Sequence, residues 1–249
     1  WSRRRAAAEL LSEADTAAYS AKERGRGCFV IYDDDLRDVV DRRFNVEAGL
    51  HSALQDDRFE LHYQPIVAIG TGSILGAEVL LRWRDVEGEL HYPVEFLDVA
   101  EETGLIVSIG AWVLGEACRE AMTWPQGDGA PQLGVSVNVS PRQLRDAGLL
   151  EDVRRALAST GLPAGALELE VTEGAVMNDP DTARARLEAL QALGVSLSID
   201  DFGTGYSSLG QLRQFPFETL VGKEFALQDA DAAFRHAADS GALRVAVRM

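Results

Sequence analysis

From Phe59 onward, strand-like runs alternate with longer helix-like runs, and acidic residues interrupt the apolar strands at repeating intervals. Strand-like runs fall at 59–69, 74–83, 133–139, 167–172, 195–199 and 219–221, and helix-like runs at about 94–103, 107–124, 149–159, 181–193 and 206–214. Such alternation calls for parallel strands with covering helices. No glycine-rich phosphate loop follows the first strand, which disfavours a dinucleotide-binding open sheet. The expectation is an α/β chain forming a TIM-like (β/α)8 barrel.

Glu78 sits in Ala-Glu-Val-Leu-Leu-Arg-Trp, Asn138 in Val-Ser-Val-Asn-Val-Ser, Glu170 in Leu-Glu-Leu-Glu-Val-Thr-Glu, and Asp200-Asp201 closes Leu-Ser-Ile-Asp-Asp. The intervals are 60, 32 and 30 residues, the last two each about one strand–helix unit. The chain therefore delivers an oxygen ligand near the same height of successive strands. Barrel active sites form at the C-terminal strand ends. Converging carboxylates repel and lose hydration unless a cation neutralises them. All-oxygen donors suit Mg2+ or Mn2+ better than zinc. An adjacent Asp pair can bridge two metals, an arrangement that activates water for phosphodiester hydrolysis.

Each element has a plainer reading. A lone acid at a strand end is more often a helix cap or a solvated group, Asp200-Asp201 before Phe-Gly-Thr-Gly fits turn chemistry, and Glu168 can be a rim residue. Coincidence on four strands outweighs these, and Asn138 in an apolar strand demands a partner. Gly203 to Ser208 have the small residues of a lid, and Glu173 could anchor that loop. Arg82, four residues past Glu78, shares its strand face and could meet a phosphate or form a rim salt bridge.

The charge balance, 24 basic against 40 acidic residues for a net −16, disfavours a polyphosphate backbone as partner, so no nucleic-acid polymer is expected. No run approaches the ~20 apolar residues of a membrane span, so no membrane contact is expected within the chain. Two cysteines, Cys28 and Cys118, make neither a disulfide framework nor a zinc site and point to a reducing, cytoplasmic setting. The start at Trp1 instead of methionine predicts a piece of a longer protein, whose remainder could be membrane-anchored.

Before the alternation, Ala6 to Ala21 have helical spacing and Phe29-Val30-Ile31-Tyr32 reads as a strand, together too little to bury a core. The expected organisation is a helix–strand remnant over 1–35, a linker helix over 36–57 and the barrel over 58–249.

Gln64-Pro65-Ile66-Val67, Glu78-Val79-Leu80-Leu81-Arg82-Trp83, Ala100 to Ile106, Ser136-Val137-Asn138-Val139-Ser140, Glu170-Val171-Thr172-Glu173 and Asp200 to Ser208 closely resemble the EAL family of bacterial cyclic di-GMP phosphodiesterases. The likeness spans about 44–220. It implies a barrel in which two divalent cations hydrolyse cyclic di-GMP to linear pGpG in second-messenger signalling. On these positions it implies Glu78, Asn138, Glu170 and Asp200 as metal ligands, with Asp201 serving the second metal. It also implies that Arg82 contacts a phosphate, that Gln64 contacts a guanine, and that Glu173 holds the Asp200–Ser208 loop beside a homodimer interface. Ala14 to Arg26 resemble the closing helix of a GGDEF diguanylate cyclase domain, whose catalytic motif the chain lacks.

After Leu220 the sequence departs from the family pattern. Where the family has Lys-Ile-Asp, the chain reads Val221-Gly222-Lys223, and Arg248 stands where a catalytic Glu is expected one residue before the end. A barrel incomplete at its C-terminal end and weak or absent hydrolysis are therefore expected, with a change of reading frame past Leu220 as the source. The alternative class is a degenerate module that binds cyclic di-GMP or a protein partner; a third, an unrelated metal-dependent barrel lyase, fits the 200–208 motif poorly.

Overall fold

In the computed structural model, residues 29–68, 71–125 and 132–200 are described continuously, together with positions among 10–21, 215–220, 225–226 and 247–248. Helix α1 (Asp34–Gln55) starts where Asp33 Oδ1 accepts from the Leu36 amide at 2.8 Å, satisfying one of the open donors of the first turn. It covers the expected linker but is no free connector, because Val46, Leu50 and Ala53 are buried in the core. Arg43 on it also pairs with Glu102. The expected strand at 29–32 has no regular structure, and Phe29 and Ile31 are exposed. A strand needs a ladder partner, and among the described residues these have none.

Strands β1 (Phe59–Val67) and β2 (Ile74–Arg84) pair antiparallel, from Phe59 opposite Trp83 to Val67 opposite Ile74. This departs from the all-parallel expectation. The connection 68–73 is too short for a parallel crossover, which takes a dozen residues or more. It closes as a hairpin instead, with Ala68 N donating to Ser73 O at 2.8 Å. A short β3 (Leu90–His91) turns back onto the end of β2.

Two helices follow, α2 (Pro93–Thr103) and α3 (Leu105–Ala121), hinged on one residue. Gly104 has φ 87°, a left-handed conformation that ends the first helix and starts the second. Arg142 then donates to the carbonyls of Glu101 and Glu102 at 2.8 and 3.3 Å. A Cβ on Gly104 would meet that guanidinium.

The chain then alternates as expected: β4 (Gly134–Val139), α4 (Pro141–Arg145), α5 (Leu149–Thr160), a 3-10 turn, β5 (Leu167–Thr172), α6 (Glu173–Met177), α7 (Pro180–Gln191) and β6 (Ser196–Asp200). β2, β4, β5, β6 and the two-residue β7 (Thr219–Leu220) run parallel, and the sheet order is β1-β2-β4-β5-β6-β7 with β3 on β2. The short β8 (Phe225–Ala226) and β9 (Val247–Arg248) form a separate pair.

One parity of each parallel strand is apolar and buried in the core: Val135, Val137 and Val139, then Leu167, Leu169 and Val171, then Leu197 with the fully buried Ile199 beside them. These meet the inward faces of α3, α5 and α7, including Ile109, Leu114, Val153 and Leu187. Cys118 is free within this layer, and burial pushes its thiol up to about 11. Among the described residues no helix is long and apolar enough to cross a membrane.

Candidate functional site on the inner strand face

The other parity of the same strands carries the polar residues. The ladders place Glu78 opposite Ser136, Asn138 opposite Glu170, Glu170 opposite Ser198, and Thr172 opposite Asp200. Every offset between these positions is even, so Glu78, Asn138, Glu170 and Asp200 share one face. The ligand positions climb by two residues from β2 to β4 and again from β5 to β6. Such stagger accompanies the strand tilt of a closing barrel.

Glu78 Oε1 accepts from Asn138 Nδ2 at 2.9 Å, although Asn138 is exposed, so burial does not force the pairing. Glu170 is 2% exposed, and its Oε1 accepts from Ser136 Oγ at 2.5 Å. Asp200 is partly buried at the end of β6. Gln64 lies directly across the hairpin from Glu78. Glu173 is 3% exposed in the first turn of α6, just after Thr172 accepts from the Ala175 amide as cap. Glu168 lies on the same face as Glu170, between Ser136 and Ser196. Asp201, the 203–208 motif, the expected helix at 206–214, Val221 and Lys223 lie outside the described residues, as does the side chain of Arg248.

Ser136 and Ser198 were not singled out from the sequence. Both are completely buried beside Glu170, and Ser198 Oγ has no hydrogen-bond partner among the described residues. Their signal was the period-two recurrence of small polar residues in Val-Ser-Val-Asn-Val and Leu-Ser-Ile-Asp.

Arg82 is on the Glu78 face of β2, two steps further toward the strand's C-terminal end. Its cross-strand neighbour Glu60 is bonded instead by Arg84, at 2.6 Å from Nε and 3.1 Å from the second terminal nitrogen. That ion pair lowers the Glu60 carboxyl below its ordinary range. Arg82 gives one bond to the Leu81 carbonyl at 2.8 Å and lies 4.9 Å from the Tyr92 ring centroid. Among the described residues it makes no salt bridge.

A second polar group surrounds the β2–β3 turn. Asp85, Glu89 and His91 bring one ligand atom each within 4.8 Å. Both His91 nitrogens are engaged, Nε2 with Asp85 at 3.0 Å and Nδ1 with Glu95 at 3.1 Å, and the ring stacks on Trp83 at 4.6 Å. None of the sequence-expected ligands belongs to this group.

Comparison with known proteins sets this geometry in a family. The EAL domain family matches residues 47–233, continuing thirteen residues past Leu220, the point at which the motif likeness ends. The chain is 43% identical over 212 residues to the bifunctional diguanylate cyclase/cyclic di-GMP phosphodiesterase MucR of Pseudomonas aeruginosa, covering 85% of the chain and 31% of that protein. It is 41% identical over 227 residues to the cyclic di-GMP phosphodiesterase NbdA of the same organism, covering 91% and 29%. The chain thus spans less than a third of the length of these relatives. Among solved structures, the PaMucR phosphodiesterase in complex with c-di-GMP superposes with a TM-score of 0.68 at 42% identity, covering 79% of this chain and 77% of that one.

Proposed function

The chain belongs to the EAL domain family, and on that premise we propose that it binds cyclic di-GMP and hydrolyses it slowly to linear pGpG with Mg2+ or Mn2+. The observation that carries this reading is the ladder register that aligns Glu78, Asn138, Glu170 and Asp200 on one face of four adjacent parallel strands. Three carboxylates and an amide, with no thiol or imidazole among them, suit a hard divalent cation. The Ser198 hydroxyl, which lies beside the buried Glu170 and has no partner among the described residues, supports the fit, since buried polar groups rarely go unpaired without water or an ion.

In this reading Glu78, Asn138, Glu170 and Asp200 hold the first cation and Asp201 serves the second. Bound there, such cations supply charge neutralisation on the phosphodiester and a more acidic water. Arg82 donates to a phosphate oxygen and Gln64 to a guanine edge, fixing the ligand across the hairpin. Glu173, buried in the first turn of α6, anchors the 200–208 loop. Water adds to phosphorus, the bond to the 3′ oxygen breaks, and a proton passes to that leaving oxygen. Val221 and Lys223 stand where the family pattern has a lysine and a metal-binding aspartate, so the rate is expected to be low.

That departure also favours a second reading, binding without hydrolysis. Residues 1–35 are assigned to a GGDEF-like remnant, 36–57 to a linker helix that packs into the core of the phosphodiesterase unit, and 58–249 to that unit, in a cytoplasmic setting and with a homodimer contact near the 200–208 loop.

The test is incubation of the chain with cyclic di-GMP and Mg2+ or Mn2+, following bound nucleotide and pGpG together. Slow product that falls in Glu78→Ala by more than the about 10- to 100-fold typical of residues that only support a metal ligand is expected. Binding without product selects the second reading. Neither, from a folded sample, overturns both.

A further inference from the structure

We propose that Tyr92 is a positioning residue, whose ring holds the guanidinium of Arg82 where it meets a phosphate of the bound nucleotide. The inference rests on the cyclic di-GMP reading above and adds a residue to it.

Arg82 is a cation with unspent donors. Of its five N–H groups, one goes to the Leu81 carbonyl, while Nε is buried with no partner among the described residues. The neighbouring carboxylate that would ordinarily neutralise it, Glu60, is held by Arg84 through two bonds. A long side chain so freed from local acids keeps its charge for an anionic ligand but has little to fix its direction. The ring of Tyr92 supplies that direction, with the guanidinium carbon 4.9 Å from its centroid. An aromatic face attracts a guanidinium without consuming its in-plane donors.

Tyr92 is itself firmly held. Continuing the β2–β3 register past Trp83 and His91 sets Tyr92 opposite Arg82. The Tyr92 amide donates to Glu95 Oε1 at 2.8 Å, and Pro93 follows at the first position of α2. The other oxygen of Glu95 takes His91 Nδ1, and His91 is tied to Asp85 and stacked on Trp83. The backbones of Arg82 and Tyr92 thus each adjoin the Trp83–His91 pair, one residue away on either strand. Tyr92 is 52% exposed, so its side chain adds little to the core and can be removed without unfolding the chain.

The experiment measures cyclic di-GMP affinity and turnover by the full chain for Tyr92→Leu, Tyr92→Phe, Arg82→Ala and the double variant Arg82→Ala/Tyr92→Leu, with melting temperature as the control for folding. Tyr92→Leu is expected to weaken binding about 3- to 30-fold, the range of a cation–π contact, raising KM with kcat and melting temperature unchanged. Tyr92→Phe keeps the aromatic face and is expected to restore wild-type affinity. In the Arg82→Ala background, Tyr92→Leu is expected to cost nothing further, because the two residues act as a unit. An equal loss from Tyr92→Leu with and without Arg82 overturns the proposal, as does no loss from Tyr92→Leu or Arg82→Ala alone while the wild-type chain binds. A folded wild-type chain that does not bind cyclic di-GMP overturns the functional reading itself, and this inference falls with it.

Discussion

His91 has a carboxylate at each ring nitrogen, Asp85 on one side and Glu95 on the other. A neutral imidazole can donate only once, so this arrangement favours the doubly protonated ring. Burial alone would lower its pKa, but the bonds to Asp85 and Glu95 prevail and raise it. The carboxyls move the opposite way: Asp85 is lowered chiefly by its bond to His91, and Glu95 chiefly by the Tyr92 amide. The raised histidine stabilises the fold fully below about pH 6.5, and that contribution is lost as pH climbs through its folded value. The lowered carboxylates contribute above about pH 4 and fail only as pH falls through theirs. The turn is therefore best held between about pH 4.5 and about pH 6.5. Melting temperature is expected to drop by no more than a few degrees between about pH 6 and about pH 8, and that drop is expected to flatten in His91→Asn. An unchanged slope would place the titration elsewhere. This cluster was illegible from sequence because its members meet only through a turn and a helix start. Glu78, Asn138 and Glu170 could be picked out because each breaks an apolar strand. Ser136 and Ser198 carry a weaker signal, because a small hydroxyl is common in buried strands and only its period-two recurrence with Asn138 and Asp200 marks it.

Whole elements followed the sequence where their period was long and unmixed. α3, α5, α7 and the parallel β4, β5 and β6 lie where alternation put them, within a few residues. The β1–β2 hairpin interrupts the alternation because the six residues between the two strand-like runs carry no helix and cannot make a crossover. Elements of two to five residues, such as β3, α4 and α6, are too short for any period to register. α1 is the instructive case. Its charged spacing reads as a connector, yet Leu50 is wholly buried and Val46 and Ala53 belong to the same core as Trp83 and Phe96. The family match beginning at residue 47 falls inside it. Leu50→Ala is expected to cost about 2–5 kcal/mol, read by urea denaturation. Removing residues 1–32 is expected to leave a cooperative transition, whereas removal through residue 57 is expected to abolish it. Retained cooperativity after the longer deletion would make the helix an independent spacer.

At the scale of the molecule, the apolar face of the parallel sheet has its helices, while the opposite face concentrates acids in a chain already at net −16. The acidity and the strand–helix order were legible from residue counts. How the sheet continues was not, because it depends on the pairing of segments distant in sequence: among the described residues it runs as an open path from β1 to β7. Acids aligned by a ladder cannot move apart without breaking it, so their repulsion is a standing cost that a bound cation relieves. Stabilisation from such linkage grows with ligand concentration and reaches about 2.7 kcal/mol at a hundredfold excess over Kd. For a chain of this size that corresponds to a rise of about 5–10 °C in melting temperature. Stripping divalent ions with a chelator is expected to lower the melting temperature by that amount, and Mg2+ or Mn2+ to restore it. General screening of the net charge would act through any salt, so KCl at matched ionic strength serves as the control. Glu170→Gln keeps the volume and the Ser136 bond while removing a charge at the centre of the register, and it is expected to abolish most of the rise. A rise reproduced by KCl, or undiminished in Glu170→Gln, would mean that the cation binds elsewhere and that this strand face is only an acidic one.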